Sequence, residues 1–277
     1  MGRVEIEVAT RTPTASAASI SSYEYVLRGI WHFKKLAPTE AAIAANYFEK
    51  AIAAYPENAE AHRWLSSCHV DSWLLDFSRE HLSDGLRAAS RAVELDPANA
   101  VCHTALGFCQ LWGEGLDAAA QTYHKAYSLN PGDPNVLTEM GLLNAYLGNL
   151  PASYEFFDLA SRMNPLPPLW YAEYRSIAAF VEGRYAEALP AFLAIPDYGF
   201  DVMYAMACLG HLENRERAIA CKSRFHKAGR RWDLLEGAKA EPYRDPEPRF
   251  RLIAGLKKVL KVSWREKALM LVKSNEV

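Results

Sequence analysis

Four prolines, Pro56, Pro97, Pro131 and Pro165, each close a helical phrase of the same character, FEKAIAAYP, ASRAVELDP, YHKAYSLNP and FDLASRMNP, at intervals of 41, 34 and 34 residues. A repeat of that period constrains the fold more than any other feature of the chain. Each unit is too small to bury its apolar face alone and must stack on its neighbours. The prolines set the punctuation: the ring removes a backbone donor and disfavours helical geometry at the preceding residue, so a helix stops there.

Within the unit from Ala100 to Pro131, Leu106 and Gly107 precede Ala119, Tyr123 and Ala126. Two helices fit this spacing: small residues sit where they cross, and the Tyr123 ring fills the space beside the crossing. The next unit repeats it with Gly141, Ser153, Phe157, Ala160 and Pro165. This pattern resembles the tetratricopeptide repeat, and the resemblance implies an all-α fold, a right-handed superhelical solenoid of five to six helix pairs. Flanking units depart from the pattern. The first pairs Gly29 with Ala44, Phe48 and Ala51 across about three extra residues, and the second pairs Leu65 and Ser66 with Gly85, Ala89 and Ala92 across about seven, around SWLLDFSRE, where a solenoid tolerates insertion. A fifth unit runs through Ser176, Gly183, Ala188 and Phe192, cut short by Pro196. A sixth pair, roughly 199–213 and 215–228, keeps Leu209 and Gly210 without the other small residues. The segment EPYRDPEPRFRLIAGLKKVL then places Phe250, Ile253, Leu256, Val259 and Leu260 at helical spacing, as expected of a helix that caps the open end of an array. The chain therefore divides into a stub and linker at 1–20, containing the strand-like Val4 to Val8, a repeat array at 21–230, a connecting segment with the capping helix at 231–262, and a basic tail at 263–277.

An apolar content of 50% with 23% charged residues excludes a disordered chain. No stretch reaches the roughly 20 apolar residues of a membrane helix, and the N-terminus lacks the apolar core of a secretory signal, so a cytoplasmic location is expected. Five scattered cysteines suggest small buried hydrophobes rather than disulfides or zinc ligands. Charge is uneven: residues 1–200 carry 14 basic and 23 acidic side chains, residues 201–277 carry 17 and 10. The basic clusters, Arg215 to Arg231 and Lys257 to Lys267, are either solvated helix faces or an arm for an acidic partner or nucleic acid. The first reading is favoured, because no interleaved aromatic and glycine residues accompany the charge.

No phosphate loop, dinucleotide fingerprint, nucleophile elbow or zinc-protease motif occurs, so no enzyme, cofactor or metal is expected. His62 and His103 each fall one turn before the unit's leucine, Leu65 and Leu106, where packing between helices is the expected role. Function then falls to surfaces. The resemblance implies that the first helix of each unit lines a groove for a partner segment, which places Phe108, Leu111, Trp112, Leu142, Tyr146 and Phe180 on that side. Either these residues anchor a protein or peptide partner, or they pack on neighbouring first helices or under the C-terminal helix. Chaperone-tail binders of this family carry Lys and Asn at inner positions, whereas this chain has Thr104, Phe108, Thr138 and Leu142. Finally, the phrases from Tyr23 to Gly29 and from Pro242 to Pro246 resemble the C-terminal repeat region of bacterial class III nucleotide cyclases and winged-helix regulators. The function implied is a non-enzymatic interaction scaffold or, alternatively, a regulatory module for an effector domain outside this chain. Self-association stays open.

Overall fold

The computed structural model describes residues 17–35, 37–194, 201–227 and 233–260. Among these residues the chain is helical throughout: α1 Ala17–Phe33, α2 Pro38–Ala54, α3 Ala59–Asp76, α4 Arg79–Leu95, α5 Ala100–Gly113, α6 Leu116–Leu129, α7 Pro134–Leu147, α8 Leu150–Met163, α9 Leu169–Val181, α10 Tyr185–Ala194, α11 Asp201–His211, α12 Arg215–Lys227, α13 Leu234–Ala240 and α14 Pro246–Leu260. The strand-like stub and the basic tail lie outside the described residues. Consecutive helices pack as hairpins from α1 with α2 through α11 with α12. The first helices of successive hairpins also touch one another, from α1 to α3 and onward to α11, while among the described residues the second helices form no comparable row. The closer spacing on the first-helix side makes that side the concave one.

The crossings have the cause that the sequence suggests. A Cβ added at Gly29 would lie 2.5 Å from the Phe48 ring, one at Gly141 2.6 Å from Phe157, and one at Gly107 3.0 Å from Tyr123. Each ring occupies the space that the missing side chain leaves, and each is fully or almost fully buried. The turns are closed by a residue two places after the proline. The Asn58 side chain accepts from the Ala61 amide, Asn99 from Val101 and Cys102, and Asp133 from Asn135 and Val136. Each cap satisfies amides that a helix start leaves without partners.

Four details differ from expectation. Helix α1 begins at Ala17, inside the segment assigned to the linker. The extra residues of the second unit lengthen a helix instead of a loop: α3 has 18 residues against 14 in α5, and ends on Phe77 in the left-handed region at φ 56°. His62 and His103 are polar latches rather than packing residues. Their Nε2 atoms lie 3.0 Å from the carbonyls of Pro56 and Pro97, six residues back, so each ring ties a helix to the turn before it. On α14, the buried face is Leu252, Gly255, Leu256 and Val259, while Phe250 is 60% exposed. Two glycines set that rotation. A Cβ at Gly210 would lie 2.0 Å from the Gly255 carbonyl oxygen, and one at Gly255 would lie 2.4 Å from that of Ala207, so α11 and α14 cross backbone against backbone. All five cysteines are buried.

Candidate interaction groove

The concave face carries a run of aromatic rings. From α3, Phe77 contacts Trp73 at 4.8 Å, and Trp73 contacts Trp112 of α5 at 5.3 Å between centroids. Trp112 meets Phe108 at 6.4 Å and Tyr146 of α7 at 6.3 Å, both edge to face. Edge-to-face contacts match the positive rim of one ring to the negative face of the next and add about 0.5–1.5 kcal/mol each to simple burial. The helical spacing that places Phe108 and Trp112 on one face of α5 continues into α7 at Tyr146.

Beyond Tyr146 the face is covered by the chain's own C-terminal segment. Tyr243 lies 4.9 Å from the Tyr146 ring. The hydroxyls of Tyr146 and Tyr204 both donate to Oε2 of Glu241, at 2.9 and 2.7 Å. The Arg244 amide donates to the Tyr146 carbonyl at 2.9 Å, and the Arg244 guanidinium pairs with Asp117. Arg249 holds the segment from the other side, donating to the carbonyls of Glu241 and Tyr243 at 3.0 and 3.1 Å. Arg251 of α14 donates to the Val181 carbonyl at 2.9 Å. Tyr146 and Val181 lie in the last turns of α7 and α9, where carbonyls have no partner inside their own helix. The segment is therefore built from donors and acceptors that the ends of the first helices require.

Carboxyls within the array are held away from their ordinary ionisation. Burial pushes Glu241 up to about 7, against the opposing effect of its two phenolic donors and Arg249. Its Oε1 is buried without a hydrogen-bond partner, which penalises the charged form in the same direction. Glu139, half-buried on α7, accepts from the Tyr123 hydroxyl at 3.0 Å and is raised to about 8 by loss of hydration. Glu173 on α9 is raised well above the usual range by burial, with the negative charges of Asp201 and Glu241 adding to it. Among the described residues no group of three or more His, Cys, Asp or Glu could hold a metal ion, and no helix is long and apolar enough to cross a membrane.

The six residues singled out in the sequence divide accordingly. Phe108, Trp112 and Tyr146 come together in one ring run. Leu111, Leu142, Tyr146 and Phe180 are buried, whereas Phe108 and Trp112 are half-buried. Phe180 stands apart, against Tyr185, Tyr204 and His211. Sequence reasoning missed Trp73 and Phe77, which belong to the added turn of α3, and Glu139 and Glu173, which look like ordinary exposed acids. It also missed Glu241 and Tyr243, although the phrase that contains Tyr243 stood out.

No family model matches the chain. The chain is 28% identical over 143 residues to cellulose synthase operon protein C of Komagataeibacter xylinus, a match that spans 50% of this chain and 10% of that protein. Among solved structures it resembles a thermophilic tetratricopeptide repeat protein of Thermus thermophilus, with a TM-score of 0.52 and 17% identity over 75% of this chain and 98% of that one. It also resembles a chain of the Cut9–Hcn1 hetero-tetramer of APC/C, with a TM-score of 0.56 and 13% identity over 91% of this chain and 45% of the other. These likenesses identify the fold as a tetratricopeptide solenoid.

Proposed function

We propose that this chain is a non-enzymatic scaffold that holds an extended or helical segment of a partner protein along the N-terminal half of its concave face, with Phe108 and Trp112 as anchors. Tetratricopeptide solenoids generally mediate protein–protein interaction. The observation that carries the assignment to this half is the division of the ring run. Leu142, Tyr146 and Phe180 are already covered, partly by Glu241 to Arg244, while Phe108 and Trp112 keep exposed surface. Tyr and Trp anchors in a desolvated groove each contribute about 2 kcal/mol or more when truncated.

The test is affinity capture from native lysate with the full chain, comparing wild type with the Phe108→Ala, Trp112→Ala double variant. A protein retained by wild type at least tenfold more than by the variant, with equal helical circular dichroism in both, supports the reading. Equal retention by both folded proteins removes it. A second reading, a regulatory module for a cyclase or winged-helix effector, draws on where two phrases lie: Tyr23 to Gly29 falls within α1, and Pro242 to Pro246 includes the segment over Tyr146. A coding segment for such a domain upstream of this one would support it.

A further inference from the structure

At the N-terminal end of the array, α1 turns one face to its neighbours and, among the described residues, leaves most of the opposite face uncovered, with Lys35 Nζ lying 3.6 Å over the Trp31 ring. Val26, Ser22 and Gly29 point inward: Val26 is buried in the first core cluster, the Ser22 hydroxyl donates to the Ala51 carbonyl at 2.8 Å, and Gly29 abuts Phe48. On the other side Ile20, Tyr23, Leu27 and Trp31 are 59%, 63%, 48% and 61% exposed. Spacings of three, four and four residues put all four on one stripe. In every later hairpin up to α9 with α10 the first helix has a first helix on each side, and among the described residues α1 has one on a single side.

From this stripe we infer that α1 is a self-association surface that takes the α1 of a second copy, antiparallel, about a two-fold axis. Charge complementarity identifies the occupant. Glu24 and Arg28 flank the stripe on one edge and pair with each other at 2.6 Å, with side chains 60% and 56% exposed. When two identical helices pack antiparallel, the same edge of each faces the other in reverse order. Glu24 of each copy then lies opposite Arg28 of the other, so both cross-pairs are attractive. The centre of the charge pair is residue 26, and the centre of the stripe from Ile20 to Trp31 falls within one residue of it. A single axis therefore centres both, which is the self-complementarity that a two-fold interface requires.

The area sets the strength. A fully covered aromatic side chain buries about 150–250 Å². At the observed exposures the four residues present about 400 Å² per copy, or about 800 Å² for the pair before flanking residues are added, below the roughly 1,000 Å² of a stable specific interface and in the range of weak, transient contacts. A reversible dimer follows rather than an obligate one. The concave face stays open in it, so this inference is independent of the scaffold reading.

Sedimentation equilibrium of the full chain over a concentration series tests it. Wild type should show a concentration-dependent dimer, and Trp31→Glu should raise the dissociation constant at least a hundredfold. Glu24→Arg and Arg28→Glu should each raise it about tenfold, because each faces like charge in its own dimer. An equimolar mixture of those two variants should dimerise at least as well as wild type, since every cross-pair is then attractive; misfolding of either variant cannot produce that recovery. A wild type that stays monomeric at every concentration overturns the inference, as does a dimer indifferent to Trp31→Glu. A monomer that dimerises only after removal of residues 2–16 also overturns it, and assigns the stripe to that segment instead.

Discussion

Gly141 shows how much a single atom position carries in this molecule. A methyl group there would sit 2.6 Å from the Phe157 ring, and the ring is almost fully buried with nowhere to retreat. Gly141→Ala should therefore destabilise by about 1–3 kcal/mol, the usual cost of forcing extra volume into a packed core. The companion Gly141→Ala, Phe157→Leu should recover part of the loss by vacating the space. Urea denaturation followed by circular dichroism checks both, and a neutral Gly141→Ala would refute the steric account. This crossing was legible in the sequence because both partners lie in one unit at fixed spacing. The roles of His62 and His103 were not. Their register marked them as packing residues, and only the backbone path of the turn brings the Pro56 and Pro97 carbonyls within 3.0 Å.

At the scale of elements, α14 depends on a contact that no periodicity reveals. Gly255 must lie against the Ala207 carbonyl for Leu252, Leu256 and Val259 to enter the core. Gly255→Ala should push α11 and α14 apart. Hydrogen exchange should then rise at least tenfold in α11, α13 and α14 while α5 to α8 keep their protection, as expected when each unit of an array depends chiefly on its neighbours. Unchanged protection in α14 would show that the crossing tolerates a side chain. A helix was foreseeable here from the spacing of apolar residues, yet its rotation was not. Phe250 fits a helical pattern as well as Leu252 does, and the choice between them is made by Gly210, on a helix far earlier in the chain. The added turn of α3 was hidden for a related reason: SWLLDFSRE looks like an insertion, and whether it coils or continues a helix depends on Trp73 finding Trp112.

For the molecule as a whole, carboxyls raised by burial govern how stability responds to acidity. Glu139 at about 8 and Glu241 at about 7 keep protons in the folded state that the unfolded chain releases near 4.5. The folded chain then binds more protons than the unfolded one, and stability falls as pH rises from about 4.5 through about 8. His62, His69 and His211 act in the opposite sense below about 6.5, because burial lowers each of them and the unfolded chain takes up their protons first. The difference between wild type and Glu139→Gln, Glu241→Gln isolates the contribution of these two carboxyls. The melting temperature of the double variant relative to wild type should climb between about pH 5 and pH 8 if the account holds, and a difference constant across that range would remove it. The burial behind the shift of Glu241 is made by residues as distant as Tyr146, 95 positions away, so it belongs to the assembled solenoid and to no single unit.

The segment from Glu241 to Arg244 has a further consequence for any partner that reaches past Trp112. It is a competitor that cannot diffuse away. A ligand needing the Tyr146 surface meets it vacant only in the fraction of molecules whose own tail has let go, and the observed dissociation constant is the intrinsic one divided by that fraction. Since Glu241 changes protonation close to neutrality, the fraction released, and with it the reach of the groove, becomes a function of the surrounding pH.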